Sequence, residues 1–441
     1  MSSIHQNPTF AALTLGCKVN QYETEAICEA LEACGFVQRP SHEICDLYIL
    51  NTCTVTAESD RKSRQMARRL IQKNPEAAVI VTGCSAQGNP TVFAAIEGVS
   101  AVVGNREKLR VAEIAREILE NGKPTAPIVE VPSLEGADFE SMSIARFIRA
   151  RAYVKIQDGC ESHCAYCAIP AARGPVRSKP MAEVIAEVKA LTEGGCREIV
   201  LTGIETGAWG RDLGRLRLQD LLVEIDRIPN VGRIRLGSLD PTVMTQDFVD
   251  KIKDLSSLAP HFHLSKQSGC SATLARMKRK YNAKQAEAAM ARVRAAIPSV
   301  QFTTDMIVGF PGETEEEFAE SADFARRAGF LHIHVFPYSK RAGTPAATMK
   351  DQVPDAVKHE RVATLSAISE ETCTAILEDV LNSPRPLSIL PETRGEGFVM
   401  AHTPEFFEIK VLTDCPLPPY EITVTPLRRE GEVLICVPVT V

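Results

Sequence analysis

The chain has 441 residues, 44% of them hydrophobic and 24% charged, and a formal net charge of −6. That length holds two or three domains of ordinary globular composition, and the acidic balance means that any RNA contact must come from local basic patches. No apolar run is long enough to span a bilayer, and Met1–Phe10 has neither the basic region nor the apolar core of a secretion signal. Fourteen cysteines then point to metal or redox use in a reducing, cytoplasmic compartment rather than to disulfides.

Residues 8–120 repeat a strand–loop–helix rhythm, which implies a parallel sheet. Thr9–Leu15 is expected to be a strand ending at Gly16-Cys17, and a helix follows near Gln21–Cys34 with Gly35 as its cap. Asp46–Asn51 is the next strand, ending at Thr52-Cys53, and a basic helix covers Ala57–Lys73. Ala77–Thr82 is the third strand, ending at Gly83-Cys84. Cys17, Cys53 and Cys84 thus share one place, just past the carboxyl end of a parallel strand, the edge at which open α/β sheets bind ligands. By spacing alone they are either a convergent metal site or three buried thiols. Cys28, Cys34 and Cys45 lie outside that pattern and are expected to be small apolar residues.

A Pro- and Gly-containing stretch, 121–143, reads as an extended linker. Next come the strand-like run Ala152–Gln157 and the loop Cys160-Glu-Ser-His-Cys164-Ala-Tyr-Cys167. Three thiolates at this spacing can hold an iron–sulfur cluster. A four-iron cluster so held keeps one iron open. A zinc site normally supplies four protein ligands, and His163 is the sole further candidate in the loop.

Residues 144–371 carry six strand candidates, 152–157, 198–203, 233–238, 261–266, 301–308 and 331–337, separated by helices that include 181–192, 218–228, 283–296 and 314–328. Six βα units suggest an incomplete parallel barrel, whose site belongs at the carboxyl ends of its strands. The phrases at those ends are Thr202-Gly-Ile-Glu-Thr206, Gly237-Ser238, Leu264–Cys270, Asp305–Thr314 and Phe336–Pro345. Gly203 lets the backbone approach a ligand and Glu205 is placed to accept from an ammonium, with an ordinary loop as the competing reading. Cys270 is expected to be a loop residue, not a fourth ligand. Residues 374–441 are β-like and suggest a small barrel. From residue 383 onward there are five basic residues against eight acidic ones, a net of −3 that suits a phosphate grip poorly.

The Cys160–Cys167 loop after a first strand resembles that of the radical S-adenosylmethionine (SAM) enzymes. Their open iron chelates SAM, which is cleaved to a 5′-deoxyadenosyl radical. The phrases Leu15–Thr24, Asn51–Thr56 and Thr82–Cys84 resemble the amino-terminal domain of the methylthiotransferases, and Leu15–Thr24 is most similar to the MtaB-type branch. The isopentenyladenosine (MiaB) and ribosomal-protein (RimO) branches read differently there. The resemblance implies an α/β fold with an N-terminal parallel α/β domain at 8–120, a central partial (β/α)6 radical-SAM barrel at 144–371 and a small C-terminal TRAM-like β-barrel at 374–441. It implies two [4Fe-4S] clusters, one on Cys17, Cys53 and Cys84 and the other on Cys160, Cys164 and Cys167. It also implies SAM contacts from Tyr166, Gly203, Glu205, Ser238, Asp305 and Val308. The implied partners are a tRNA bearing threonylcarbamoyladenosine, a sulfur donor and an electron donor such as a flavodoxin or ferredoxin.

Local basic groups restore a route to RNA. They are Arg61, Lys62, Arg64, Arg68 and Arg69; Arg146, Arg149 and Arg151; Arg173, Arg177 and Lys179; and Lys278, Arg279 and Lys280. The group at 173–179 is the favoured phosphate contact because it follows the cysteine loop directly. Lys340 and Arg341 are expected to be solvent-facing charges, with phosphate contact as the alternative.

Overall fold

A computed structural model describes residues 8–147, 151–383 and 385–439. Arg149, one of the basic candidates, lies outside the described residues.

The amino-terminal rhythm folds as β1 (Thr9–Thr14), α1 (Lys18–Ala33), β2 (Val37–Gln38), β3 (Leu47–Thr52), α2 (Ala57–Lys73), β4 (Ala78–Gly83), α3 (Cys84–Gly88), α4 (Pro90–Ala94), β5 (Ala101–Val103), α5 (Arg110–Asn121) and β6 (Ile128–Glu130). The six strands form one parallel sheet in the order β2-β1-β3-β4-β5-β6. β3 and β4 are buried along their whole length, as a parallel sheet covered on both faces requires. One face packs Ile27, Leu31, Ile114 and Ile118 from α1 and α5, and the other packs Ala67, Leu70 and Phe93. The stretch expected as a linker is therefore partly sheet: it adds β6 beside β5, with Val102 opposite Val129. Its lack of periodicity reflects a strand of three residues, too short to show one.

The chain continues with β7 (Arg151–Lys155), β8 (Gln157–Asp158), α6 (Ile169–Arg173), β9 (Arg177–Ser178), α7 (Met181–Glu193), β10 (Glu198–Thr202), α8 (Leu218–Asp226), β11 (Arg233–Leu236), α9 (Gln246–Ile252), β12 (His261–Gln267), α10 (Ser271–Arg276), α11 (Ala283–Ala296), β13 (Gln301–Val308), α12 (Glu315–Ala328), β14 (His332–Pro337) and α13 (Asp355–Asn382). Two three-stranded sheets, β11-β10-β7 and β12-β13-β14, are joined by parallel bridges from Ile234 to Leu258 and from Leu239 to Leu264. α12 shows how local chemistry sets an element's ends. Thr314 and Glu317 form a capping box, three glutamates fill the first turn, and Gly329 at φ 58° closes the helix.

Five antiparallel or parallel-paired strands, β15 (Leu387–Gly395), β16 (Phe398–His402), β17 (Glu408–Leu412), β18 (Ile422–Glu430) and β19 (Val433–Pro438), close into a barrel in the order β15-β16-β17-β19-β18. α13 runs unbroken through 371–374, where the sequence suggests a boundary, and its Cys373 and Leu377 belong to the small barrel's core. Among the described residues no helix is long and apolar enough to cross a membrane.

Two compact units result. The first takes its described residues from Met1–Ile144, Lys155–Lys179 and Ser339–Ala347, and the second from Ala145–Val154, Pro180–Tyr338 and Thr348–Val441. The cysteine loop thus belongs with the amino-terminal sheet, although about thirty residues of sequence lie between β6 and that loop.

Within the second unit, Glu198 on β10 joins the parallel strands to the small barrel. Its fully buried carboxylate meets Arg151, Arg233 and Arg235. These arginines also reach Glu392, Glu421 and the carbonyl oxygen of Thr403. Burial alone would raise the Glu198 pKa, but Arg235, Arg151 and Arg233 offset it and bring it to about 2. A carboxyl depressed on folding contributes stability that is present above its unfolded value near ~4.3 and lost as the pH falls through the folded value. Glu198→Gln is therefore expected to cost about 3–5 kcal/mol in denaturant unfolding at pH 7, with the gap to the wild-type chain closing as the pH falls toward about 2.

Candidate metal centre

Three of the cysteines are brought together by strand register. Thr14 pairs with Asn51 and Asn51 with Thr82, while Thr52 pairs with Gly83. β1, β3 and β4 are adjacent and end level, so Cys17, Cys53 and Cys84 emerge side by side at one sheet edge. Burial is the main force raising the Cys53 thiol, and the neighbouring Cys84 and Cys17 sulfurs add to it. Glycine makes the approach feasible. Gly16 sits at φ +114°, and a Cβ there would lie 2.9 Å from Cys53 Cβ and 3.1 Å from its Sγ; at Gly83 a Cβ would lie 2.4 Å from Asn51 Oδ1. Asn20 ties the edge together, donating to the carbonyl oxygens of Leu15 and Thr52 at 2.8 and 3.0 Å.

The loops beyond two of these cysteines are clamped by Asp60 of α2. It accepts from Ser85 Oγ at 2.7 Å and from Arg341 at 2.5 Å, while Arg341 also donates to Thr54 Oγ1 at 2.6 Å. Arg341 is therefore neither solvent-facing nor free for phosphate; Lys340 beside it is exposed. The segment 339–347 further pairs with the cysteine loop, Ala346 N donating to Ala165 O at 2.8 Å.

Cys160, Cys164 and Cys167 lie in the loop between β8 and α6. Two of their sulfurs accept backbone N–H groups, Cys160 from Ser162 and Cys167 from Ile169, each at 3.4 Å. Such donors favour thiolate over thiol. Cys160 N donates to Gly174 O at 3.0 Å, which folds the loop back onto the end of α6.

At that end stands Arg173, fully buried. Its Nε donates to Cys84 Sγ at 3.0 Å and its terminal nitrogens reach Asn20 Oδ1 at 2.7 Å and Glu23 Oε1 at 2.5 Å. A single residue thus contacts the amino-terminal thiol set and adjoins the glycine that anchors Cys160. Glu23 also takes Lys108 and, at 2.7 Å, Lys155; Asp158 takes Lys155 at 2.7 Å, Arg173 at 3.3 Å and Arg177 at 3.5 Å. Burial would raise the Glu23 pKa, but Arg173, Lys108 and Lys155 hold it well below the usual carboxylate range.

The charge balance of this network tests what the cysteines can hold. Four cations, Lys108, Lys155, Arg173 and Arg177, face two buried carboxylates, Glu23 and Asp158; half-buried Glu140 beside Lys155 and Lys108 makes a third. A positive charge remains in excess against Cys84. Uncompensated buried charge is strongly unfavourable, so the donor set fits anionic thiolates and a cluster carried on them.

The network corrects the favoured phosphate contact. Arg173, Arg177 and Lys179 are buried at 0, 6 and 1% exposure, because they compensate carboxylates and cap carbonyl oxygens inside the first unit, with Lys179 on Met142 O at 2.6 Å. Sequence position after the loop is a correct guide to the site and a wrong one to solvent. Glu23, Asn20, Lys108, Lys155 and Asp158 join the site without having been expected there. The signal for two of them, Asn20 and Glu23, lies inside the phrase Leu15–Thr24; the other three show their role only through long-range contact.

The remaining candidates divide between the units. Tyr166, half-buried, stands in the cysteine loop of the first. In the second, half-buried Gly203 follows β10, Ser238 is exposed just past β11, and Glu205 is paired with Arg211 at 3.2 Å. Asp305 lies 3.2 Å from His263, and these two with His334 form one polar group on neighbouring strands. Val308, three residues along the same strand, points to the opposite face and is 1% exposed, so its side chain does not join that group. Cys270 is buried as the residue before α10, and Cys28 and Cys45 are buried. Cys34, expected inside, is exposed where α1 ends.

Comparison with known proteins assigns the class first. Residues 154–325 match the profile described as "Radical SAM superfamily", and residues 9–104 one described as "Uncharacterized protein family UPF0004". The solved radical S-adenosylmethionine methyltransferase TsrM from Kitasatospora setae shares the fold, with a TM-score of 0.58 over 77% of each chain at 16% identity. Among curated proteins, the threonylcarbamoyladenosine tRNA methylthiotransferase MtaB of Bacillus subtilis (strain 168) is 39% identical, covering 91% of this chain and 90% of its own. The MtaB of Aquifex aeolicus (strain VF5) is 36% identical over 81% and 87%. The tRNA-2-methylthio-N(6)-dimethylallyladenosine synthase of Carboxydothermus hydrogenoformans is 33% identical over 81% and 82%. The chain belongs to the MtaB family of radical-SAM methylthiotransferases.

Removing the shared partner of three buried cations should be severe. Glu23→Gln is expected to lower stability at neutral pH by about 3–5 kcal/mol, read by denaturant unfolding under anaerobic conditions. Glu120→Gln, which neutralises an exposed carboxylate, should stay within about 0.5 kcal/mol of the unmodified chain.

Proposed function

We propose that this chain converts N6-threonylcarbamoyladenosine beside the anticodon of tRNA to its 2-methylthio derivative, with two [4Fe-4S] clusters and SAM as cofactors. The observation that carries the reading is the meeting of Cys17, Cys53 and Cys84 at one sheet edge, linked through Arg173 to the Cys160–Cys167 loop, in a chain this similar to MtaB.

We assign Cys17, Cys53 and Cys84 to one cluster and Cys160, Cys164 and Cys167 to the other. When bound, these groups and SAM supply the radical and the methylthio group that an unactivated aromatic C–H demands, because such a bond offers no acidic or nucleophilic handle. The chain's own residues do the rest. The amide donors of Ser162 and Ile169 steady two thiolates. Arg173 holds a fixed positive charge against Cys84, and Glu23 and Asp158 keep it there. Asp60 and Arg341 hold the loops after Cys53 and Cys84 in place. Tyr166, Gly203, Glu205, Ser238 and Asp305 keep their assignment to SAM, and Val308 keeps it through its backbone alone.

The six strands β7, β10, β11, β12, β13 and β14 are read as the partial (β/α)6 barrel and the five-stranded barrel as a TRAM-like domain, with the methylthiotransferase domain ahead of both. The 8–120, 121–143, 144–371 and 374–441 division is kept as an outline, with β6 assigned to the first sheet and α13 to both neighbours. We read the reaction, with tRNA as its substrate, as cytoplasmic, and an electron donor and a sulfur donor as its partners. The alternative is the same chemistry on isopentenyladenosine tRNA or on a ribosomal protein.

Two measurements test the reading. After anaerobic reconstitution, alanine at Cys17, Cys53 and Cys84 together should leave about half the iron and labile sulfide of the unmodified chain, and alanine at Cys160, Cys164 and Cys167 should leave about the other half; full loading of either variant refutes the ligand assignment. Mass spectrometry of tRNA nucleosides from a deletion strain should show 2-methylthio-threonylcarbamoyladenosine absent and restored with the gene. Loss of methylthio-isopentenyladenosine instead would transfer the substrate to the alternative, and no change in either would remove tRNA altogether.

A further inference from the structure

The tRNA reading needs a phosphate-binding surface, and neither the favoured group at 173–179 nor the acidic small barrel offers one. Arg173, Arg177 and Lys179 are buried. In the small barrel every basic side chain is engaged. Arg385 pairs with Glu405, Arg428 with Glu430 at 2.6 Å and Arg429 with Glu378 at 2.9 Å. Arg394 donates to Asp414 O at 2.8 Å, and Lys410 lies over the Phe398 ring.

α2 is different. Its buried face is Ser63, Ala67 and Leu70, which pack onto the sheet. Its acidic residues, Glu58 and Asp60, are confined to the first turn, and Asp60 is turned inward to Ser85 and Arg341. From Arg61 to Lys73 the helix carries six basic residues and no acidic one. Arg61 and Lys62 share Glu58, and Lys73 donates to Ser41 O. Arg64, Arg68 and Arg69 have no acidic partner among the described residues. With Arg61, Gln65 and Gln72 they line one open groove. In a helix, positions three and four apart stand one above another, so these side chains form a stripe about 16 Å long. It starts about one turn into α2, a helix that begins at Ala57 just after Cys53, at the edge where the three thiols meet.

We propose that α2 is the tRNA-binding rail of this enzyme: Arg64, Arg68 and Arg69 neutralise successive phosphates of one RNA strand, with Gln65 and Gln72 donating to the same backbone. Arginine suits the task because its planar fork donates two bonds to one phosphate. A chain of net charge −6 repels a polyanion at large, so the contact must be local, and a row of uncompensated guanidiniums provides it. The rail rests on the tRNA reading above and deepens it: the strand is gripped from the amino-terminal unit rather than by the small barrel.

The test is the salt dependence of tRNA affinity, with total tRNA purified from a strain deleted for this gene as the probe and the reconstituted holoenzyme as the binder. Each phosphate that the protein ceases to neutralise lowers the slope of log K against log salt by about 0.7–0.9. The variant Arg64→Gln, Arg68→Gln, Arg69→Gln should therefore flatten the slope by about 2–3 and keep the wild-type circular dichroism, because none of the three is part of the helix's buried face. Arg394→Gln, Arg428→Gln, Arg429→Gln removes the same charge from the small barrel and should leave the slope as it was. An unchanged slope in the α2 variant, with wild-type protein binding tRNA, overturns the rail and leaves the tRNA reading intact. A flattened slope in the barrel variant alone does the same and returns the grip to the barrel. Absence of tRNA binding by the wild-type holoenzyme overturns both.

Discussion

A guanidinium with no exposed surface holds the first unit's site together. Arg173 cannot lose its proton, so its burial must be matched by anions, and Glu23, Asp158 and the sulfur of Cys84 are what the fold provides. Each of these comes from a different part of the chain: α1, β8 and the start of α3. Satisfying one side chain therefore fixes the separation of three segments. Lys108 and Lys155 extend the same constraint to the residues ahead of α5 and to the end of β7.

The consequence for chemistry is that the two thiol sets are not independent. The sheet edge carrying Cys17, Cys53 and Cys84 and the loop carrying Cys160, Cys164 and Cys167 belong to one compact unit. Arg173 touches the first, and its neighbour Gly174 accepts from the backbone of Cys160. An excess of buried positive charge beside Cys84 favours an anionic occupant of the site. The network is thus a source of rigidity and of fixed potential at once, which is how a protein prepares a site for charge without reorganising at the moment of use.

Charge is distributed by role across the chain. In the second unit, Glu198 gathers three arginines to join the parallel strands to the small barrel. In the first, cations gather around Glu23 and Asp158. Both arrangements consume arginines that a linear reading counts toward RNA binding. On α2, Arg64, Arg68 and Arg69 are left without an acidic partner among the described residues, and the helix's fold-forming face, Ser63, Ala67 and Leu70, lies elsewhere.

The sequence alone determined the chemistry-bearing residues and most of the elements that carry them, because those signals are local. Spacing within Cys160–Cys167, glycine before Cys17 and Cys84, and alternation of apolar runs with amphipathic helices need only neighbouring residues to be read. β6 escaped because three residues are too few for a period, and α13 was cut at 371–374 because its amphipathic face changes partners along its length, from the parallel strands to the small barrel. Tertiary structure decided which charges are solvent-facing. Arg173, Arg177, Lys179 and Arg341 look, in sequence, like Arg64, Arg68 and Arg69. The first four have carboxylates or carbonyl oxygens brought to them by residues up to about 280 positions away, and the last three do not. A charge's fate depends on whether a counter-charge arrives through space, and no local pattern records that.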